Sequence, residues 1–150
     1  MQRIIIIGCG GAGKSTLARE LGARLGLPVH HLDRLFWRSG WVPTPRDEWA
    51  QIQTQLCAAP AWIIEGNYGG TMDIRLAACD TVIFLDYARH VCVWRMLRRW
   101  WQYRDRSRPD MTEGCPERLN FEFFLWIWRF RRRSRPRIEG KLVGLAPTKT

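Results

Sequence analysis

Residues 4–16 read Ile-Ile-Ile-Ile-Gly-Cys-Gly-Gly-Ala-Gly-Lys-Ser-Thr. Within this stretch Gly8, Gly13, Lys14 and Ser15 fill the pattern G-x-x-x-x-G-K-[ST]. The β-branched run before the glycines predicts a buried parallel strand, and leucines at four-residue spacing after them predict a helix. This order of strand, loop, lysine and helix is typical of a phosphate-binding loop. The alternative is an ordinary glycine-rich turn between a strand and a helix.

The predicted loop supplies groups that suit a nucleoside triphosphate. Glycines let backbone N–H groups approach a phosphate closely, and the N-terminus of the following helix adds the positive end of its dipole. Lys14 supplies a cation for the β- and γ-phosphates, and the Ser15 hydroxyl suits Mg²⁺. We therefore predict ATP and Mg²⁺ as cofactors. The predicted nucleotide-binding residues are Gly8, Gly10, Gly11, Ala12, Gly13, Lys14, Ser15 and Thr16.

The length and composition predict one folded domain over residues 1–150. Nine tryptophans and a hydrophobic content of 46% exclude a disordered chain, and no apolar run approaches the ~20 residues of a membrane-spanning helix. The segment before the loop is too short for a signal peptide, which favours a cytoplasmic protein. The five cysteines include no Cys-x-x-Cys pair, which favours reduced, buried thiols. Cys9 is either such a filler or a reactive thiol, because it lies near a helix N-terminus.

The net charge of +10 comes from the second half of the chain. Residues 1–88 carry 8 basic and 8 acidic side chains, whereas residues 89–150 carry 16 basic and 6 acidic ones. Nearly all of these basic residues are arginines, whose guanidinium groups bind oxyanions with two hydrogen bonds. The partner is therefore anionic, either the phosphates of a nucleotide, a nucleic-acid backbone or a membrane surface. Charge alone does not choose among them.

Strand and helix patterns alternate along the chain, which predicts an α/β fold whose parallel sheet is covered by helices on both faces. The predicted strands are 3–7, 28–31, 62–64, 81–85 and 141–145. The predicted helices are 15–25, 45–58, 71–78, 88–103 and 116–133. In such folds the ligand lies beyond the carboxyl ends of the strands, so residues that follow strands are the candidate functional residues.

Three carboxylates follow predicted strands. Asp33 is suited to orient or deprotonate the hydroxyl group of a molecule that accepts a phosphoryl group from the triphosphate. The alternative is that Asp33 caps a loop. Glu65 is suited to bind Mg²⁺ through a water molecule. The alternative is that Glu65 caps a helix or pairs with an arginine. Asp86 is better explained as the N-cap of the next helix. His30 and His31, at the second strand, are predicted to be packing or loop residues.

The basic half of the chain suits a lid. Arg95 and Arg99 lie four residues apart and share one helix face, and the polar loop 104–117 carries three more arginines. We predict that this loop is a lid that closes over phosphates and excludes water, with Arg95 and Arg99 as catalytic residues. A solvated surface is the alternative. The aromatic segment 121–130 and the arginines 131–133 predict a core helix with a basic end, while nucleic-acid stacking and membrane-surface binding stay open.

Together these residues resemble a known family. The chain is similar, over about residues 2–138, to the bacterial topology modulation proteins, which are relatives of adenylate kinase among the P-loop kinases. The resemblance implies a three-layer α/β sandwich with a five-stranded parallel sheet of order 2-3-1-4-5, an acceptor-binding segment after strand 2 and a helical, arginine-rich lid. The matching stretches are Ile-Gly-Cys-Gly-Gly-Ala-Gly-Lys-Ser-Thr (7–16), His-Leu-Asp-Arg-Leu-Phe-Trp (31–37), Gly-Trp-Val-Pro-Thr-Pro-Arg (40–46), Trp-Ile-Ile-Glu-Gly-Asn-Tyr-Gly-Gly (62–70), Asp-Thr-Val-Ile-Phe-Leu-Asp (80–86) and Arg-Pro-Asp-Met-Thr-Glu-Gly-Cys-Pro-Glu (108–117).

The resemblance also implies roles for the acceptor side. Glu-Gly-Asn-Tyr at 65–68 stands where adenylate kinase usually has Asp-Gly-Phe-Pro, and Arg75 lies further along than the arginine that follows that motif. The resemblance implies that Asp33, Trp37 and Arg75 bind the acceptor and that the glutamate holds Mg²⁺ through water. Compared with the family, base contacts near the end of the chain are expected to be incomplete or reduced to residues 146–148.

The sequence therefore predicts a kinase that transfers the γ-phosphoryl group of ATP to a small nucleotide- or nucleoside-like acceptor held by residues 31–60. Its predicted partners are the triphosphate and this acceptor, with weak nucleic-acid binding through the basic half. Two alternatives stay open. One is a nucleotide-regulated protein that binds DNA and modulates its topology, as the family name suggests. The other is an ATP-binding protein with only slow ATPase activity.

Overall fold

A computed structural model describes residues 1–104, 110–118 and 120–144 of the chain. Strands and helices alternate from the N-terminus, as the sequence patterns predict. The strands are β1 (Arg3–Gly8), β2 (Val29–His31), β3 (Trp37–Arg38), β4 (Val42–Pro43), β5 (Trp62–Glu65) and β6 (Thr81–Leu85). The helices are α1 (Lys14–Leu25), α2 (Leu32–Phe36), α3 (Arg46–Cys57), α4 (Met72–Ala78), α5 (Arg89–Gln102), α6 (Phe121–Arg133) and α7 (Arg135–Val143).

The isoleucine strand β1 is a central strand of a parallel sheet. Its four isoleucines have no exposed surface, because such a strand is covered on both faces. β5 and β6 pair with β1 on its two sides and β2 pairs with β5, which gives the order β2-β5-β1-β6. The α/β fold with a parallel sheet is confirmed. The described residues form four strands in this order, however, and not the expected five-stranded sheet of order 2-3-1-4-5.

The predicted strand 141–145 is wrong where the structure describes it. Residues 141–143 form the last turn of α7, and residues 145–150 lie outside the described residues. The apolar residues of this segment have helical spacing, since Ile138 and Leu142 both contact the core and lie four residues apart. Lys141 Nζ also donates to both carboxylate oxygens of Asp73, at 2.5 Å each, and so joins α7 to α4.

The aromatic helix α6 begins at Phe121, which is later than the predicted start at residue 116. The side-chain oxygen of Asn120 accepts hydrogen bonds from the backbone N–H groups of Glu122 and Phe123, at 2.8 and 3.2 Å. This is the geometry of a helix N-cap, and it fixes the beginning of the helix at the asparagine.

Helices cover both faces of the sheet. Ile4 and Ile6 contact a cluster that includes Ala18 of α1. Ile5 and Ile7 contact a larger cluster built from α3, α4, α5, α6 and α7. This division follows from the two-residue period of a strand. Since the strands are parallel, the residues that follow β1, β2 and β5 lie at one edge of the sheet.

Arg104 and residues 110–117 are the described part of the predicted lid. They lie against the segment around β3, where Thr112 Oγ1 donates to Arg34 O at 2.7 Å and Gly40 N–H donates to Gly114 O at 3.0 Å. The contact is close, because a Cβ at Gly114 would lie 2.2 Å from Ser39 Oγ. The stretch 110–118 contains no helix, and Arg106 and Arg108 lie outside the described residues.

None of the helices in the described ranges is long and apolar enough to cross a membrane.

Candidate active site

The residues that follow the parallel strands line a cleft of about 940 Å³, at the edge of the sheet where ligands bind in α/β folds. Its volume is at the upper end of the range for small-molecule sites, which suits two substrates. Gly8 and Arg75 are the predicted site residues that do not line it. The predicted residues that line the cleft are Gly10, Gly11, Ala12, Gly13, Lys14, Ser15, Thr16, Asp33, Trp37, Glu65, Arg95 and Arg99.

The phosphate-binding loop has backbone conformations that favour glycine. Gly8, Gly11 and Gly13 have φ angles of 145°, 78° and 94°. At Gly11 a Cβ would lie 2.3 Å from a backbone oxygen of α5, so a larger residue would push the loop away from that helix. Lys14 Nζ donates to Cys9 O at 3.0 Å, which keeps the ammonium group close to the loop backbone.

Asn67 holds the first residue of the loop, a role that the sequence patterns did not predict. The Gly8 N–H donates to Asn67 Oδ1 at 2.9 Å, and Asn67 Nδ2 donates to Gly8 O at 2.7 Å. A side-chain amide thus pairs with the backbone of a buried residue in the way that a neighbouring strand would. The only sequence signal was the position of Asn67, two residues after the carboxyl end of β5.

Ser15, His31 and Glu65 form a hydrogen-bonded group beside the loop. Ser15 Oγ donates to Glu65 Oε1 at 3.0 Å, and His31 Nδ1 lies 2.8 Å from the same oxygen. Glu65 is 4% exposed, yet it lines the cleft. A hydroxyl and a carboxylate are the oxygen ligands that Mg²⁺ prefers, and Mg²⁺ at a nucleotide takes its other ligands from water and phosphate. The residues present therefore fit a magnesium ion bound together with a triphosphate.

The acceptor side of the cleft contains a carboxylate, a phenol and two indole rings. Tyr68 OH donates to Asp33 Oδ1 at 2.7 Å. Burial and the neighbouring negative charge of Asp33 raise the pKa of Tyr68 above its usual range, so the phenol keeps its proton and acts as a donor. The ring centroids of Trp37 and Trp41 are 5.4 Å apart, and the Arg118 guanidinium lies 4.8 Å from the centre of the Trp41 ring. All five residues line the cleft.

Arg75 has a structural position away from the cleft, and its expected contact with an acceptor stays a prediction. Its side chain has no exposed surface, and it donates to the carbonyl oxygens of Gly66, Asn67 and Tyr68 at 2.7, 2.5 and 3.3 Å. Burial lowers the pKa of Arg75 to about 10, which still leaves the group charged at neutral pH. The arginine lies in the first turn of α4, and its side chain reaches back to the loop before the helix. It holds the loop that positions Asn67 and Tyr68.

Arg95 and Arg99 reach the cleft from α5, on the shared face that their spacing predicts. Arg95 Nη1 donates to Ala12 O at 3.3 Å, which brings this guanidinium group to the phosphate-binding loop. Arg99 pairs with the buried carboxylate of Glu117 at 3.0 Å. Glu117 belongs to the described part of the predicted lid, so α5 and this segment are joined beside the cleft.

Asp86 is not the N-cap of α5, and that prediction is wrong. The N-cap residue is Ala88, and no side chain caps the helix. The Asp86 carboxylate instead lies 3.3 Å from the Arg135 guanidinium and 3.7 Å from that of Arg131. The charge of Asp86 is therefore used to join the end of β6 to α6 and α7.

Cys9 is a buried, protonated thiol, as expected for a residue that only fills space, and not the reactive thiol that was the alternative. It is 3% exposed and lies 3.8 Å from Ile127 O. A hydrogen bond with the Cys92 thiol and burial raise the pKa of Cys9, so its proton is retained. A thiol in this state is a poor nucleophile despite its place at a helix N-terminus.

Comparison with known proteins identifies relatives among the kinases. No family model matches the chain. A shikimate kinase of Pseudomonas syringae pv. syringae (strain B728a) is 30% identical over 134 residues, which cover 79% of this chain and 74% of that protein. A shikimate kinase of Thioalkalivibrio sulfidiphilus (strain HL-EbGR7) is 31% identical over 134 residues, which cover 79% of this chain and 67% of that protein. The crystal structure of shikimate kinase from Bacteroides thetaiotaomicron has a TM-score of 0.60 at 16% identity and covers 92% of this chain and 82% of that one.

The parallel sheet and the glycine-rich loop at the end of its strand β1 define a P-loop nucleotide-binding protein. The curated relatives narrow this class. The chain belongs to the family of P-loop kinases that includes shikimate kinase. It is an ATP-dependent kinase that acts on a small molecule, and the comparisons leave its acceptor unspecified.

Proposed function

We propose that the chain transfers the γ-phosphoryl group of Mg·ATP to a hydroxyl group of a small molecule bound against Asp33. The observation that carries this proposal is the shared cleft, in which the Lys14 loop and the Tyr68-bound carboxylate of Asp33 face the same space. Phosphoryl transfer needs a cradle for the triphosphate and a group that orients the acceptor, and little covalent chemistry from the protein. ATP as the phosphoryl donor favours the cytoplasm as the site of the reaction.

The triphosphate side of the reaction uses groups that hold negative charge. The loop amides and the N-terminus of α1 bind the phosphates, and the Lys14 ammonium group leaves Cys9 O for the β- and γ-phosphates. Arg95, which donates to a loop carbonyl, is the arginine best placed to bind the transferred group. Ser15, and Glu65 through water, would hold a magnesium ion, which would supply Lewis-acid neutralisation of the phosphate charge.

Asp33 orients the acceptor hydroxyl and accepts its proton as the new P–O bond forms. The hydrogen bond from Tyr68 fixes the position of one carboxylate oxygen and so sets the direction in which the carboxylate faces the cleft. Because the transition state of phosphoryl transfer is loose, the main contribution of such a carboxylate is orientation. Arg99 is the second proposed catalytic arginine, and it must exchange its bond to Glu117 for a phosphate oxygen when the nucleotide binds.

The acceptor side suits a hydroxylated molecule that has a flat face and a negative group. Trp37 and Trp41 provide ring surfaces, and the Arg118 guanidinium over Trp41 provides a cation. A nucleotide or nucleoside-like acceptor fits this description. Shikimate, which the names of the relatives indicate, is the second candidate.

The test is the release of ADP from Mg·ATP with a panel of nucleoside monophosphates, nucleosides, shikimate and other small hydroxy acids. Acceleration by one acceptor that is lost in both Lys14→Ala and Asp33→Asn would support the proposal. Asp33→Asn is the sharper variant, because it keeps the shape of the side chain and should leave ATP binding unchanged. A flat panel would contradict the proposal and favour an ATP-binding protein with slow ATPase activity. Acceleration that survives in Asp33→Asn would contradict the assigned acceptor site.

Nucleotide-regulated DNA binding is a second candidate function, in agreement with the resemblance to topology modulation proteins. One surface observation favours it. Phe121 and Trp128 on α6 are 69% and 42% exposed, and Arg132 and Arg133 on the same helix are exposed as well. Exposed rings among arginines suit base stacking and phosphate contacts. Binding of DNA that falls steeply with salt and weakens when Arg132 and Arg133 are both changed to alanine would support this candidate, whereas salt-insensitive or absent binding would contradict it.

A further inference from the structure

The pairing of β2 with β5 brings a histidine to the carboxylate that we propose for magnesium. The two strands are parallel, and His31 lies opposite Glu65 in their register. His31 Nδ1 is 2.8 Å from Glu65 Oε1, and Ser15 Oγ donates to the same oxygen at 3.0 Å. The side chains of His31 and Glu65 are 12% and 5% exposed. The three side chains therefore form one compact group at the phosphate end of the cleft.

We propose that His31 is a positioning residue, whose Nδ1–H donates to Glu65 Oε1 and fixes the carboxylate for the magnesium ion. Both donors bond to Oε1, and no described residue donates to Oε2, so Oε2 is left for a water molecule of the metal. This inference rests on the proposed function, because it takes Glu65 as the acid that holds magnesium through water.

The physical reason for such a residue is the freedom of a glutamate side chain. A buried carboxylate needs hydrogen-bond donors to compensate for its lost hydration, and three rotatable bonds let it adopt several positions. Ser15 alone is a weak restraint, because its hydroxyl rotates and its oxygen is also needed by the metal. The imidazole is a rigid ring on a paired strand, so its N–H fixes the glutamate from one direction. Partners of this kind commonly change metal affinity although they do not touch the metal.

The neighbouring histidine is a matched control. His30 lies opposite Ile64 in the same pair of strands. Since side chains alternate along a strand, His30 is on the opposite face of the sheet from Glu65. A substitution at His30 changes the same residue type on the same short strand without changing the bond to the carboxylate.

The test is a titration of Mn²⁺, used as a paramagnetic replacement for Mg²⁺, into the full chain saturated with a non-hydrolysable ATP analogue. Electron paramagnetic resonance measures the free Mn²⁺. We expect His31→Leu to weaken Mn²⁺ binding about tenfold. His31→Asn should stay within about threefold of the unchanged protein, because its amide Nδ2 donates from nearly the position of the imidazole Nδ1. His30→Leu should bind Mn²⁺ as the unchanged protein does.

Binding of the same analogue without metal separates positioning from a general structural role. If His31→Leu loses metal-free nucleotide binding as much as Mn²⁺ binding, or if His31→Asn loses as much Mn²⁺ binding as His31→Leu, the positioning role is overturned. Equal Mn²⁺ affinity in His31→Leu and the unchanged protein would overturn it as well.

Glu65→Gln distinguishes the two levels of the proposal. If Glu65→Gln weakens Mn²⁺ binding and His31→Leu does not, the inference about His31 fails and the magnesium assignment stands. If Glu65→Gln binds Mn²⁺ unchanged, the magnesium assignment of the proposed function fails, and the role of His31 fails with it.

Discussion

Replacing Asn67 with alanine tests how the fold holds the phosphate-binding loop. The Asn67 amide makes hydrogen bonds of 2.9 and 2.7 Å to the N–H and carbonyl groups of buried Gly8. Each such bond contributes about 1 kcal/mol net. We therefore expect Asn67→Ala to lower the free energy of unfolding by about 2 kcal/mol. We also expect the Kd for nucleotide to rise about tenfold, since reordering one loop residue on binding costs about 1.4 kcal/mol.

Urea unfolding followed by tryptophan fluorescence measures the first quantity, and titration with a fluorescent ATP analogue measures the second. Thr44→Val is the matched control, because it removes a buried hydroxyl donor away from the loop. Thr44 Oγ1 donates to Phe36 O at 2.8 Å, with Leu35 O as a second, longer acceptor at 3.4 Å. This substitution should cost about 1 kcal/mol of stability and leave the nucleotide Kd unchanged. An Asn67→Ala protein that is destabilised but binds nucleotide with the original Kd would refute the role of Asn67 in holding the loop.

Three further substitutions test other parts of the site and fold. Tyr68→Phe removes the hydrogen bond to Asp33, and a bond to a charged group contributes about 1.5–3 kcal/mol. The kcat/KM for the acceptor in an ADP-release assay should therefore fall at least about tenfold, while the affinity for ATP stays unchanged. An equal loss of ATP affinity would argue against a role of Tyr68 on the acceptor side. Arg75→Met leaves three carbonyl groups without their charged donor. It should lower the free energy of unfolding, measured in urea, by about 3 kcal/mol. Unchanged stability together with a raised KM for the acceptor would instead support Arg75 as a residue that binds the acceptor. Burial of Asp80 favours its neutral form, but hydrogen bonds from the backbone of residues 2 and 3 and from the residue 81 hydroxyl outweigh that effect. Together they lower the pKa of Asp80 from its ordinary value. The Asp80 carboxylate therefore stabilises the fold fully above its pKa in the unfolded chain, and this stabilisation is lost as the pH falls through the lower pKa of the folded state. The free energy of unfolding of Asp80→Asn should depend less on pH in that window. An acid-unfolding curve unchanged by the substitution would contradict this.

The first third of the fold was predictable because its signals are local. The isoleucine run is β-branched and leads directly into a glycine-rich loop, which favours a buried strand, and β1 ends one residue beyond the predicted range 3–7. Gly26 ends α1 with a φ of 66°, the left-handed conformation that its residue type predicts. The segment 141–145 misled because a short apolar run fits either a strand or a helix. Only the packing of Ile138 and Leu142 against the core decides for a helix.

The candidate site was predictable where position after a strand was sufficient. The sequence selects Asp33 and Glu65 in this way, and the structure places both at the cleft with Lys14. The contacts of His31 and Arg75 could not be predicted from the sequence, because they depend on which atoms each side chain meets in the fold. His31 meets Glu65 through the register of two strands that lie 31 residues or more apart in sequence. Arg75 meets backbone carbonyls, and such partners leave no pattern of residue types.

Incubation with ATP labelled in its γ-phosphate, together with the acceptor that accelerates ADP release, tests phosphoryl transfer most directly. The label should appear in a phosphate ester of the acceptor, and this product should be absent with Lys14→Ala and strongly reduced with Asp33→Asn. Label that appears only in inorganic phosphate, at the same rate with and without acceptor, would contradict the assignment of a kinase site to this cleft.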